Sequence, residues 1–184
     1  MTTLQWGLFV LGTTSLAFIS RKSLVSLKLH GFYRFFAWEI LLIILLNNLG
    51  GWFRDLFAWY QLISWVLLII SLILVSQGVK LLRTIGRQNE DRSDPSLLGM
   101  EKTSQLVTIG LYRYIRHPLY SSLLFLAWGV FFKSPSWLDA GLMLLVMIFL
   151  VATAYVEERE NISYFGDEYV EYMKHSKMFV PFLF

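Results

Sequence analysis

No cysteine occurs anywhere in the sequence. A disulfide framework, a cysteine nucleophile and a thiolate metal site are therefore excluded together. Histidine is scarce as well: His30, His117 and His175 are too far apart to read as a histidine metal cluster, and no metal is expected. The P-loop, the glycine-rich dinucleotide fingerprint, the paired-histidine zinc motif and the nucleophile elbow are all missing. Charged residues make up only 16% of the chain and hydrophobic ones 56%, against about 25% and about 45–50% in soluble domains. With a mean hydropathy of +0.55, the 184-residue chain reads as an integral membrane protein of one domain, 1–184. Its net charge of +3 is modest, and no nucleic-acid partner is expected.

Five apolar runs are candidates to cross a bilayer: Thr3 to Ile19, Phe32 to Leu46, Trp59 to Leu82, Leu119 to Phe132, and Leu138 to Val156. A spanning helix needs about 20 residues, so the second and fourth must borrow flanking residues, tilt or thin the bilayer. The expected fold is thus all-α, with about five transmembrane helices: three in 1–82, then a loop, a helical hairpin and a C-terminal helix in 83–184. No basic residue precedes the first run, and Arg21 and Lys22 follow it, so it is read as a retained span rather than a cleaved leader.

Basic residues cluster on one side of this arrangement. Arg21, Lys22, Lys28 and Arg34 follow run one; Lys80, Arg83, Arg87, Arg92, Lys102, Arg113 and Arg116 follow run three; Arg159, Lys174 and Lys177 follow run five. The other side holds only Arg54 and Lys133. The asymmetry predicts an outside N-terminus and a cytoplasmic C-terminus, in agreement with an odd number of spans. The bilayer would be a bacterial inner membrane or an endoplasmic reticulum.

The polar stretch Gly86 to Ser104 reads as a cytoplasmic loop able to fold over a site. Beyond run five, Glu157 to His175 keeps Ile162, Phe165, Tyr169, Tyr172 and Met173 near helical spacing, which predicts an amphipathic helix bent at Gly166.

Three constellations carry chemistry. In Arg116-His117-Pro118, proline disfavours helix in the residue before it and suits a first turn, so a helix should start at Pro118 or Leu119. His117 then stands at a helix N-terminus that attracts anions, beside an arginine suited to a carboxylate or phosphate. Anchoring at the headgroups by basic and tyrosine-rich flanks accounts equally well for the stretch. The second constellation is Glu157-Glu158-Arg159-Glu160, where run five ends. Adjacent carboxylates there need solvent or cations, with Arg113 and Arg116 in view, and a hairpin turning at Ser134-Pro135-Ser136 would bring them to His117. Interfacial ion pairs worth about 0–1 kcal/mol are the plainer reading. Third, Glu39 lies within an apolar run. It is either functional or tied to a polar neighbour such as Gln61, Ser64 or Gln77.

LVTIGLYRYIRHPLY (Leu106 to Tyr120) and, after an apolar hairpin, EERENISYFGDEYVEYMKHSKMFVP (Glu157 to Pro181) together resemble the isoprenylcysteine carboxyl methyltransferase family and its bacterial relatives. The resemblance implies a membrane enzyme that uses S-adenosylmethionine on the cytoplasmic side. Its cofactor contacts would fall on Ser104, Gln105, Leu106, Val107, Tyr112, His117, Pro118, Leu119, Tyr120 and Glu157. The acceptor would be lipophilic or prenylated and would arrive from the bilayer. Members that methylate prenylcysteine carry an arginine where this chain has Thr153, so Arg116, Thr153 and Glu158 are the acceptor-side candidates. A phospholipid N-methyltransferase and a small-thiol S-methyltransferase stay open as alternatives. An NADPH-dependent sterol-type reductase also stays open, although Leu119 and the double glutamate favour methyl transfer.

Overall fold

The structure, a computed structural model, describes residues 2–87 and 94–181. Arg92 and the middle of the polar loop, 88–93, lie outside the described residues. Among the described residues the chain forms six α-helices and no named strand: α1 (Thr3–Ser20), α2 (His30–Asn47), α3 (Trp59–Ile85), α4 (Pro118–Phe131), α5 (Trp137–Phe165) and α6 (Asp167–His175). Helices α1, α2, α3 and α5 are long and apolar enough to cross a membrane. With 14 residues, α4 rises only about 21 Å, well short of the ~30 Å hydrocarbon core. Pro118 sets its start, and a turn at Phe132 and Lys133 ends it. Run two, by contrast, gains length at both ends and becomes an 18-residue helix.

The apolar core joins Ala37, Leu41 and Ile44 of α2 to Met143, Val146 and Leu150 of α5, with Ala127 and Val130 of α4 alongside. Lipid is as apolar as these side chains, so association inside a membrane rests on close packing and interhelical hydrogen bonds. Two such bonds tie α3 to α4: the Ser64 hydroxyl donates to the Gly129 carbonyl at 2.6 Å, and Ser71 donates to Ser122 O at 2.8 Å. The expected hairpin therefore differs in its packing. Helix α4 lies mainly along α3, and α5 mainly along α2, while α4 and α5 meet over less of their length.

Two expectations about polar groups are corrected. Glu39 finds its partner on α1, where the Thr13 hydroxyl donates to Oε2 at 2.8 Å. Gln61 and Ser64 instead bond backbone carbonyls of the helix ends beside α3, and Gln77 is exposed. Lys133, counted as a cation of the opposite side, is 2% exposed, with Nζ donating to Gln61 Oε1 at 3.1 Å and lying 3.5 Å from the Trp65 ring centroid.

At the other end of the bundle α5 runs unbroken through Glu157 to Phe165. It stops at Gly166, whose φ of 62° is readily adopted only by glycine. Helix α6 follows, with Asp167 and Glu168 in its first turn and Lys174 and His175 in its last, a charge order that complements its dipole. It buries Tyr169 and Tyr172 beneath the ends of α4 and α5.

Candidate functional site

After the turn at Tyr114 the chain leaves helical geometry ahead of α4: Pro118 keeps the residue before it out of the helical region, and His117 has φ −121° and ψ 61°. The C-terminal segment lies parallel to this stretch, bridging Ile115 to Lys177. Lys177 N–H donates to Tyr114 O at 2.9 Å, Arg116 N–H to Lys177 O at 2.7 Å and His117 N–H to Met178 O at 3.2 Å. The Ser121 hydroxyl then donates to Phe179 O at 2.8 Å. The amide of His117 is thus already satisfied by the chain. Only the first amides of α4 beyond Pro118, those of Leu119 and Tyr120, are left without intrahelical partners.

Arg116 is equally committed. Its Nε donates to Glu158 Oε1 at 2.7 Å, and Nη1 donates to the carbonyls of Ser176 and Met173. The guanidinium expected to meet a ligand instead ties α5, α6 and the C-terminal segment to the start of α4. Arg113, the other cation expected beside the glutamates, lies over the Tyr114 ring and forms no ion pair among the described residues.

His117 is 5% exposed and faces both glutamates, with Nε2 3.3 Å from Glu158 Oε1 and Nδ1 3.8 Å from Glu157 Oε2. Its ring stacks on Tyr120 with centroids 5.4 Å apart. The start of α4 and the end of α5 thus meet as the hairpin reading predicts, although 41 residues separate His117 from Glu158.

These groups open on one cleft at the junction of α4, α5 and α6. Leu106, Val107 and Tyr112 line it from the loop, Arg116 to Tyr120 from the start of α4, and Glu157 from α5. Ser104, Gln105, Thr153 and Glu158 are not among its lining residues. The Ser104 hydroxyl donates to Arg87 O at 2.9 Å and the Gln105 amide to Gly86 O at 3.0 Å, so both tie the loop to the end of α3. Thr153 is fully buried, and its hydroxyl donates to Phe149 O within α5. Glu158 is taken up by Arg116 and His117.

Sequence reasoning missed several lining residues. Asn161 and Phe165 follow Glu157 at spacings of four and eight, one helix face, and that signal was available. Tyr169 and Tyr172 lie on the buried side of α6, where periodicity had placed them. Leu97, Glu101 and Thr103 come from the loop that was expected to fold over a site, although nothing in the sequence singled out these three within it. Burial, with the nearby Glu157 carboxylate adding to it, holds the Tyr112 and Tyr169 phenols well above the usual tyrosine range; burial also raises Tyr172. All three are neutral at physiological pH, and Tyr172 donates its hydroxyl to Tyr112 O at 2.6 Å.

Two buried polar atoms of the lining residues, Tyr120 Oη and Glu157 Oε2, act on each other and have no further hydrogen-bond partner among the described residues. They supply one potential donor and one anionic acceptor, beside a stacked imidazole, for a ligand with polar groups of both kinds. Among the described residues no group of side chains could hold a metal ion.

The fold is that of an all-helical integral membrane protein with a polar cleft walled by the loop and the ends of two apolar helices. The profile of the phospholipid methyltransferase family matches residues 59–168, more than half of the chain, and the chain belongs to that family. This is a family of membrane methyltransferases related to the isoprenylcysteine carboxyl methyltransferases. The match runs from the start of α3 into α6; α1, α2 and the C-terminal segment lie outside it. No curated protein and no solved structure matches the chain.

Proposed function

We propose that this protein transfers the methyl group of S-adenosylmethionine to a lipophilic acceptor that arrives from the bilayer, with a phospholipid amine as the favoured acceptor. The observation that carries the cofactor reading is the convergence of the buried polar atoms Tyr120 Oη and Glu157 Oε2, beside His117, on one cleft within the region matched to a methyltransferase family. A bound S-adenosylmethionine supplies a sulfonium-activated methyl carbon, whose bond electrons leave with sulfur as the acceptor's lone pair forms the new bond.

The chain's own task is to bind, align and exclude water. Glu157 would accept from the cofactor's ammonium or hydroxyl donors, and the first amides of α4 would hold its carboxylate. Tyr112 and Tyr120 would supply aromatic faces to the adenine or the sulfonium. On the other side of Phe179, whose ring centroid is 6.2 Å from that of His117, lies an apolar groove of about 180 Å³ between α4 and α5. Its walls are Leu124, Met147, Leu150, Val151, Phe179 and Val180, a surface suited to a hydrocarbon chain and not to water.

Two observations favour an amine over a prenylcysteine carboxylate. The matched family is that of the phospholipid methyltransferases, and neither buried Thr153 nor the committed Arg116 offers a cation to an acceptor carboxylate. An ammonium acceptor must lose a proton before it attacks, and His117 and Glu157 are the titratable groups placed to receive it. By the distribution of Lys and Arg the cleft faces the cytoplasm.

The test is binding of S-adenosylhomocysteine to the purified protein, followed by mass spectrometry of lipid extracts and prenylcysteine analogues after incubation with labelled cofactor. No binding by the wild type would sink the proposal. Methylated prenylcysteine with unmodified lipid would replace the amine acceptor.

A further inference from the structure

Arg34 belongs to α2, outside the stretch matched to the methyltransferase family, yet its guanidinium reaches the loop that walls the cleft. Nη1 donates to Glu101 Oε2 at 2.9 Å and Nη2 donates to the Ser96 carbonyl. The same Glu101 oxygen accepts the Leu98 amide at 2.8 Å, while the Glu101 amide donates to Leu98 O at 2.8 Å. The turn from Leu98 to Glu101 is therefore closed on the very carboxylate that Arg34 holds. The two side chains are only 4% and 9% exposed.

The guanidinium is itself held from other directions. It lies 4.9 Å from the Trp38 ring centroid, and Nη1 is 3.4 Å from His30 Nε2, one helical turn earlier. His30 is fixed in turn to Glu160 of α5, its amide donating to Oε1 at 3.0 Å and its ring Nδ1 meeting Oε2. The loop also comes against the first turn of α2. A Cβ at Gly31 would collide with the Ser23 side chain and come within 3.3 Å of Ser96 Cβ, and the Ser23 hydroxyl donates to Pro95 O at 3.4 Å. Residues 95–101 thus rest on α2 through one ion pair, one carbonyl bond and a glycine-dependent close approach, and on the connection before it through the bond from Ser23.

Three residues of this loop, Leu97, Glu101 and Thr103, line the same cleft as His117 and Glu157. Glu101 Oε1 makes no hydrogen bond among the described residues. A buried ion pair adds little stability over an apolar replacement, so its value here lies in the geometry it imposes.

We propose that Arg34 is a positioning residue of the methyl-donor site: it fixes the loop from Pro95 to Thr103 as one wall of the cleft and aims Glu101, whose Oε1 accepts a hydrogen bond from the bound cofactor's N–H or O–H donors. This rests on the cofactor reading above. It makes α2 part of the site, so the family-matched region alone is an incomplete binding unit.

The experiment pairs backbone hydrogen exchange without ligand with S-adenosylhomocysteine affinity, for the full chain and its Arg34→Met, Arg34→Lys and Glu101→Gln variants. Arg34→Met should speed exchange at the Leu98, Glu101 and Ser104 amides while α3 and α5 stay protected. It should also weaken binding about tenfold or more, the loss expected for a charged hydrogen bond. Arg34→Lys, which keeps one donor to Glu101, should recover part of both effects. Glu101→Gln, which keeps the shape and one acceptor, should weaken binding with little change in exchange. Unchanged exchange in Arg34→Met would overturn the proposal, as would faster exchange with unchanged affinity. If Arg34→Met fails to fold, wild-type affinity in Glu101→Gln overturns it by itself. Failure of the wild type to bind is a separate result, which removes the cofactor reading and this inference with it.

Discussion

Arg116 Nε lies 2.7 Å from Glu158 Oε1 across the junction of α4 and α5, and the same guanidinium reaches the carbonyls of Ser176 and Met173. One side chain thereby joins the two sequence motifs of the site and the C-terminal segment that follows them. With side-chain exposures of 10% and 6%, the pair is closer to a buried than to a surface ion pair. Arg116→Met strands a buried carboxylate and should cost about 3–5 kcal/mol, the penalty for breaking such a pair from one side. The double variant with Glu158→Leu should recover much of the loss. Thermal unfolding in detergent of the single and double variants reads the cycle; additive losses would mean that the pair is not coupled.

Lys177 isolates the role of the parallel bridge, because its side chain is exposed while its amide donates to Tyr114 O at 2.9 Å. Lys177→Ala should behave as wild type. Lys177→Pro removes only the donor and restricts the backbone, and should weaken S-adenosylhomocysteine binding by releasing the segment that holds His117 in place. Equal behaviour of the two variants would detach the C-terminal segment from the site.

Tyr112, Tyr169 and Tyr172 have their pKa values raised in the folded protein, chiefly by burial. Below about pH 10, the unfolded value, both states keep the proton and the contribution to stability is complete. As pH rises above that value the unfolded chain ionises first, so stability falls by up to about 1.4 kcal/mol per pH unit for each tyrosine. Of the nine tyrosines, these three should show no phenolate absorbance until the protein unfolds, in a spectrophotometric titration followed alongside helix content. Phenolate signals from all nine before helix loss would contradict the burial.

Glu39→Gln should leave methyl transfer and expression near wild type, because the amide oxygen can still accept from Thr13. Thr13→Val should cost about 0.6 kcal/mol, the average of measured interhelical bonds in a membrane. A large loss of activity in Glu39→Gln with a normal melting temperature would bring Glu39 into the mechanism.

Phe179→Ala should lower the wall between the apolar groove and the cleft, raising KM for a lipid acceptor while the S-adenosylhomocysteine Kd holds. Measuring both on one preparation separates this from a folding defect, which would reduce the binding-competent fraction for both ligands.

Hydropathy located the helix starts to within about two residues, because the requirement for an unbroken apolar run leaves little freedom about where a span lies, but it ended run five at Val156 while α5 continues to Phe165. The proline after His117 marked the start of α4 for an equally local reason: ring geometry acts on neighbours. The meeting of His117 with Glu157 and Glu158 was legible too, since a short turn obliges consecutive helices to return to the same end. Tertiary structure alone decided which charges are free for a ligand. Arg116 looked available, yet it is consumed by Glu158 and by the C-terminal carbonyls. Glu101, Arg34 and His30 carried no pattern, and their convergence depends on how α2 packs against α5. Chain order fixes elements and their ends through short-range constraint. The pairing of distant charges follows from helix-against-helix packing, which no local feature of either helix encodes.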